Sequence, residues 1–220
     1  AGRDPGRLRI ARYATPVVEG AEVHSECKAA YEAATTALTD LGHDVEDIDA
    51  PFPPEAIGLF MTVWGVSAAS APVDPAREGE LLPLTRWLRE RGAAASGAQF
   101  VGAISQLQML TRQWILRTAA YDAVLSPTLA SPPVPVGWFT ETGDPAEDFL
   151  RQQRFTPFTS IYNVTGQPAV SLPLHWTGDD PVLPVGVMLA GRPADEATLV
   201  SLSAQLEDAR PWADRQPPGW

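Results

Sequence analysis

A single cysteine, Cys27, leaves this chain unable to close an internal disulfide, and its three histidines are too widely separated to show metal-ligand spacing. These shortages exclude a disulfide-stapled scaffold and suggest neither metal nor other cofactor; a reducing, cytoplasmic setting is the expectation. Of the 16 cationic residues only Lys28 is a lysine, and the 27 acidic residues bring the formal net charge to −11. The arginines are scattered among acids, so no basic stripe exists to follow a phosphate backbone, and nucleic acid is not expected as a partner. The longest uncharged apolar run, residues 56–71, contains glycines and serines. It falls short of the roughly 20 apolar residues of a spanning helix, so it reads as a buried helix and no membrane association is expected. Behind its charges the opening AGRDPGRLRI has no apolar core, which argues against a signal peptide on this chain. Residues 1–7 read as a cut linker.

What is present is ordinary for a globular domain. With 45% apolar and 20% charged residues, 220 residues can bury one substantial core, so a single α/β domain over residues 1–220 is expected. A short strand at 8–13 precedes a helix at 22–41, where Val23, Cys27, Ala30, Ala34, Leu38 and Leu41 recur at spacings of three and four and Gly42 closes the turn. A strand at 44–49 should return beside the first as a right-handed crossover. Pro51, Pro53 and Pro54 introduce a helix over 54–70. Helices are also expected at 80–91 and 96–121; in the latter, Val101, Ile104, Leu107, Thr111, Trp114, Thr118 and Tyr121 share a face. Residues 123–126 form a buried strand, 130–146 a proline- and glycine-rich loop, and 195–207 the last helix. Strands separated by helices indicate an α/β fold, a mixed β-sheet flanked by helices on both faces.

Residues 155–192, FTPFTSIYNVTGQPAVSLPLHWTGDDPVLPVGVMLAGR, are the most informative stretch. A polar, aromatic helical turn carrying Phe158 and Tyr162 runs into Asn163-Val164-Thr165-Gly166, where glycine can take positive φ as the cap. Val170, Leu172 and Leu174 alternate in one strand, Gly178 to Pro181 supplies a turn, and Val185, Val187 and Leu189 resume the period of two, as in a buried hairpin or two neighbouring strands. Together with YDAVLSPTLASPP at 121–133, LRIARY at 8–13, LGHDVEDID at 41–49 and the closing ADEATLVSLSAQLEDARPWADRQPP, this stretch resembles the C-terminal half of the amidase signature family. The resemblance implies the same sandwich fold. It also implies that a Gly-Ser-rich loop of the GGSSGG type, with two serines and an upstream lysine, carries catalysis in that family. No such loop occurs here, and Lys28 sits beside Cys27 on an amphipathic helix as a solvated side chain. Amide hydrolysis needs an activated nucleophile, a proton acceptor and oxyanion donors. None is supplied convincingly, so the chain reads as inactive alone, with no catalytic residue of its own.

Several residues are candidates for binding substrate. Asn163, with Thr165, Gly166 and Pro168, could form a substrate-lining turn or merely cap the helix end, while Thr156, Phe158 and Thr159 are expected on a pocket wall, because the resemblance places this stretch beside the cavity for the acyl group. Thr128, after Ser126 and Pro127, ends a strand at the edge where ligands sit in α/β sheets; its hydroxyl could equally satisfy a proline turn. Ser171 and His175 lie four apart in a strand and should face one side, but with no glycine elbow nearby they read as a strand serine and an exposed histidine. Glu141, Asp144, Glu147 and Asp148 cluster around the start of a short helix and read as a solvated face. The run SPPVPV at 131–136 reads as a rigid surface connection.

The resemblance therefore implies part of an amidase that hydrolyses linear carboxamides to a carboxylate and ammonia or an amine through a serine acyl-enzyme. The serines and lysine belong to a missing N-terminal half, and this chain supplies the acyl-pocket wall. Expected partners are a small-molecule amide and that missing half, whose absence would expose apolar surface and favour self-association. Two alternatives stay open. One is the A subunit of a glutamyl-tRNA amidotransferase, which usually carries an acidic residue seven positions before the asparagine, where Thr156 stands here. The other is a noncatalytic binding or regulatory relic of the family.

Overall fold

The computed structural model describes residues 4–178 and 181–215. Strand β1 (Arg9–Arg12), helix α1 (Ser25–Asp40) and strand β2 (Asp44–Asp47) make the expected crossover, with β1 and β2 parallel and Arg9 opposite Asp44. Helix α1 begins later than the periodicity from Val23 suggests, because the His24 side chain accepts the Glu26 backbone N–H at 3.2 Å and caps the first turn. At its other end Gly42 adopts φ of 90°, a conformation that costs a Cβ-bearing residue.

Helices α2 (Ala56–Ser70), α3 (Pro83–Ala94) and α4 (Gly97–Thr118) follow, with a 3₁₀ turn at 75–80 between α2 and α3. Ser96 and Gln99 cap α4 reciprocally. The buried face of α4 is Ala103, Leu107, Trp114 and Thr118. Val101, expected on that face, is 62% exposed; it lies two residues from Ala103, about 200° around a helix of 3.6 residues per turn. Strand β3 (Ala123–Pro127) is buried throughout. Within and after the expected loop come a short 3₁₀ turn at 138–140 and α5 (Pro145–Phe155), an 11-residue helix longer than the charged stretch suggests.

Helix α6 (Ser160–Thr165) ends at Gly166, whose φ is 69° as expected. Strands β4 (Ala169–Trp176) and β5 (Pro184–Gly191) form the antiparallel hairpin, and α7 (Glu196–Ala209) closes the order, capped by Asp195. Of the expected turn at Gly178 to Pro181, Asp179 and Asp180 lie outside the described residues, as do residues 1–3 of the linker.

The five strands lie in the order β2-β1-β3-β5-β4; β2, β1 and β3 run parallel, and β5 is antiparallel to both its neighbours. Alternation along the strands separates two cores. One face, with Ile10, Leu125, Leu172, Val187 and Leu189, packs on α1 and α7. The other, with Ala11, Val124, Met188 and Ala190, packs on Trp114 of α4 and on Phe158, Ile161 and Tyr162 around α6. Each fully buried leucine or isoleucine contributes about 1.5–3 kcal/mol. This is the mixed sheet with helices on both faces that the sequence pattern predicts.

Candidate functional site

The site is assembled by two short helices against a third. Asp144 caps α5 by accepting the Ala146 N–H at 2.8 Å, and Pro145 takes a first-turn position where its missing N–H costs nothing. Asp148, expected on a solvated face, is only 6% exposed and accepts the Thr142 hydroxyl at 2.7 Å and its backbone N–H at 3.2 Å. It therefore ties the preceding loop to α5. One residue on, Phe149 packs edge-on against Trp64 of α2, with ring centroids 5.2 Å apart. Phe149 also meets Trp87 of α3 at 5.9 Å, so α5 is seated against α3 with its Phe149 reaching Trp64 of α2.

The cleft between α2 and α6, about 350 Å³, has Thr156, Thr159, Ser160 and Asn163 on one wall. Phe60, Val63, Trp64 and Ser67 of α2 form the other. No lining side chain is charged. The Thr156 hydroxyl donates to the Gln152 carbonyl at 3.0 Å and caps α5, whereas Asn163 is exposed toward the cleft. Three of the sequence candidates are thus brought together. Phe158 is not on the wall: it is fully buried, tilted against Tyr13 at 6.1 Å, and supports the cleft from below.

Helix α2 is the contributor that pattern reading misplaced. The uncharged run implies a buried helix, yet only Ala56 and Gly65 of α2 are buried and Trp64 is 43% exposed. Its uncharged sequence reflects a helix that borders open clefts. An indole and a hydroxyl, Trp64 and Ser67, one turn apart on such a helix were the available signal.

Thr128 lies elsewhere, just past the end of β3. Its Oγ1 is 2.7 Å from Ser171 Oγ on β4. The two hydroxyls meet across β5 at Gly186, where a Cβ would stand 2.5 Å from Ser171 Oγ and 3.1 Å from Thr128 Oγ1. Ser171 and His175 do not share a side. The β4–β5 register shifts between Leu172 and His175, placing Ser171 opposite Met188 on one face and His175 opposite Val185 on the other. His175 is not a free exposed imidazole either; its Nε2 is 2.6 Å from Glu26 Oε2, and each side chain is about a quarter exposed. The Glu26 carboxyl is held below the ordinary carboxylate range chiefly by this hydrogen bond.

Other nucleophile candidates are similarly disarmed. Burial pushes the Cys27 thiol up to about 11, which disfavours the thiolate. Ser126 is fully buried beside Tyr13. Burial pushes Tyr13 up to about 12 and Tyr162 well above 10. His43 is held in the core, its Nδ1 accepting the Leu8 N–H at 3.1 Å and its Nε2 facing Gln205 Oε1 at 2.9 Å. That acceptor role makes Nε2 the protonated nitrogen. Among the described residues no group of His, Cys, Asp and Glu could hold a metal ion, and no helix is long and apolar enough to cross a membrane.

Comparison with known proteins gives one consistent result. The family model described as Amidase matches residues 1–200. The chain is 36% identical over 227 residues to "Putative amidase AmiB2" of Mycobacterium tuberculosis (strain ATCC 25618 / H37Rv), covering 99% of this chain and 46% of that protein. It is 30% identical over 240 residues to the 6-aminohexanoate-cyclic-dimer hydrolase of Pseudomonas sp. (strain NK87), covering 97% of this chain and 46% of that one. In three dimensions it resembles a 6-aminohexanoate cyclic dimer hydrolase solved with its substrate, at a TM-score of 0.81 and 26% identity over 98% of this chain and 48% of the other. The chain spans about half the length of the curated relatives it matches.

Proposed function

This chain belongs to the amidase family, and on that premise we propose that it is the C-terminal α/β portion of a hydrolase of linear carboxamides. In this reading the two serines and the lysine that form and break the acyl-enzyme lie in a polypeptide corresponding to the other half of its relatives. This chain supplies the wall of the acyl pocket.

The observation that carries the reading is the uncharged cleft between Thr156, Thr159 and Asn163 on one side and Phe60, Trp64 and Ser67 on the other. An apolar and aromatic lining with a few hydroxyl and amide groups suits a neutral organic acyl group, because a charged one would lose hydration without gaining a partner. Thr128 stands outside that cleft, and its bond to Ser171 fits a second, supporting part of the site where the other polypeptide meets the sheet. The same lining speaks against the glutamyl-tRNA amidotransferase subunit. Thr156 is uncharged and caps α5, so it offers no ion pair to an α-ammonium.

The test is reconstitution. The chain alone is expected to release no ammonia from any amide. Co-expressed with the N-terminal half of a homologous amidase carrying the Gly-Ser-rich loop, it is expected to hydrolyse neutral amides in preference to glutamine. Turnover by the isolated chain would remove the division of labour, and a preference for glutamine would favour the amidotransferase.

A further inference from the structure

We propose that the groove between α2, α4 and α6 is a binding site for amphipathic anions, specifically linear aliphatic carboxylates, with the chain on the apolar floor and the carboxylate at Arg112. The groove measures about 760 Å³, within the range of sites for small organic ligands. Phe60, Val63, Ile104, Leu107 and Ile115 line it, and Leu116, 64% exposed, forms the rim. Its polar groups are few: Gln108, Thr111 and Asn163, and a single charged side chain, Arg112.

Arg112 is what identifies the occupant. Some arginines of this acidic chain are held by carboxylates, Arg12 by Glu32 and Asp47, Arg89 by Glu78 and Arg192 by Asp122, while Arg86, Arg91, Arg117 and Arg154 have no ion pair among the described residues; what sets Arg112 apart is its place as the charged side chain of the groove. Among the described residues, Arg112 makes neither an ion pair nor a hydrogen bond and lies exposed beside apolar surface. A guanidinium presents paired N–H donors that match a carboxylate. An apolar floor ending at such a group fits a molecule with a hydrocarbon body and an anionic head, and disfavours a cation of the same length.

The groove also shares Phe60, Val63 and Asn163 with the uncharged cleft, so the two are contiguous. An amide whose acyl or amine part carries a long apolar arm with a terminal carboxylate could then occupy both. That extension to substrate rests on the amidase reading, whereas binding in the groove does not, so the two fail separately.

The experiment is calorimetric titration of the 220-residue chain with dodecanoate and with dodecyltrimethylammonium, each below its micellar concentration. Dodecanoate is expected to bind about tenfold more tightly. Arg112→Gln is expected to abolish that difference, and the exposed Arg86→Gln on α3, outside the groove, to leave it intact. Ile104→Trp, with an unchanged circular dichroism spectrum, is expected to weaken both ligands. Equal affinity for the two amphiphiles, or a preference that survives Arg112→Gln, would overturn the proposal. Binding of neither would do so as well, and would leave a covering polypeptide as the occupant.

Discussion

Thr128 Oγ1 and Ser171 Oγ lie 2.7 Å apart although β5 runs between β3, which Thr128 follows, and β4, which carries Ser171. The bond exists because β5 presents Gly186 at the crossing point, and a side chain there would fill the space between the hydroxyls. One glycine thereby joins the far edge of the sheet to the end of its central strand.

Gly186→Ala is accordingly expected to destabilise the chain by about 1–3 kcal/mol, the usual cost of forcing an extra carbon into packed surroundings. Adding Ser171→Ala to the same chain should recover part of the loss, since Ser171 Oγ is the nearest atom to the new methyl group. Urea unfolding of the single and double variants measures both. No recovery would mean that the strain lies elsewhere.

A larger effect is expected at Gly92 on α3. A Cβ there would overlap the Gly65 carbonyl of α2, which is backbone and cannot rotate away. Gly92→Ala should force the two helices apart and cost more than Gly186→Ala. Because α2 forms one wall of the cleft, the spectroscopic environment of Trp64 should change as well. A variant as stable as the parent would show that the close approach is not required.

All four tyrosines are expected to titrate above 10 in the folded chain: Tyr13 and Tyr162 chiefly through burial, Tyr31 chiefly through burial, and Tyr121 chiefly through its hydrogen bond to Glu46. The unfolded chain ionises first, so this raised affinity for the proton stabilises fully below pH 10 and is lost as pH rises toward and beyond 12. Absorbance near 295 nm should show tyrosinate forming together with loss of helical signal. Ionisation of any of them near pH 10 in the intact fold would contradict this.

The His175–Glu26 pair sets an acid limit. Glu26 has a depressed affinity for its proton, so its contribution is present above the unfolded value of 4.5 and is lost as pH falls through the lower folded value. Glu26→Gln should be less stable than the parent near neutrality, and the gap should narrow below pH 4.5. A gap independent of pH would place the effect in packing.

Much of the architecture was legible because it follows from local periodicity. The 3-and-4 spacing of Cys27, Ala30, Ala34 and Leu38 and the alternation of Val185, Val187 and Leu189 each select an element and a buried face, and the structure buries those faces. The site was legible only in part. Thr156, Thr159 and Asn163 could be nominated because they surround a helix end marked by Gly166. Phe158 could not be separated from them, since whether a residue beside a turn faces in or out depends on what packs beneath it, here Tyr13. The buried role of Asp148 was hidden too, because its partner Thr142 belongs to a loop without periodicity.

By itself, then, the sequence determined the succession of elements, the mixed sheet and the membership of the amidase family, since all three are written in short-range patterns of apolar residues, glycines and motif spacing. Only the tertiary structure decided that α2 is a cleft wall, that Ser171 answers Thr128 while His175 answers Glu26, and that Arg112 stands without a carboxylate partner among the described residues. Each of those depends on side chains distant in sequence or on one extra residue in a strand ladder, and such relationships are set by packing between elements.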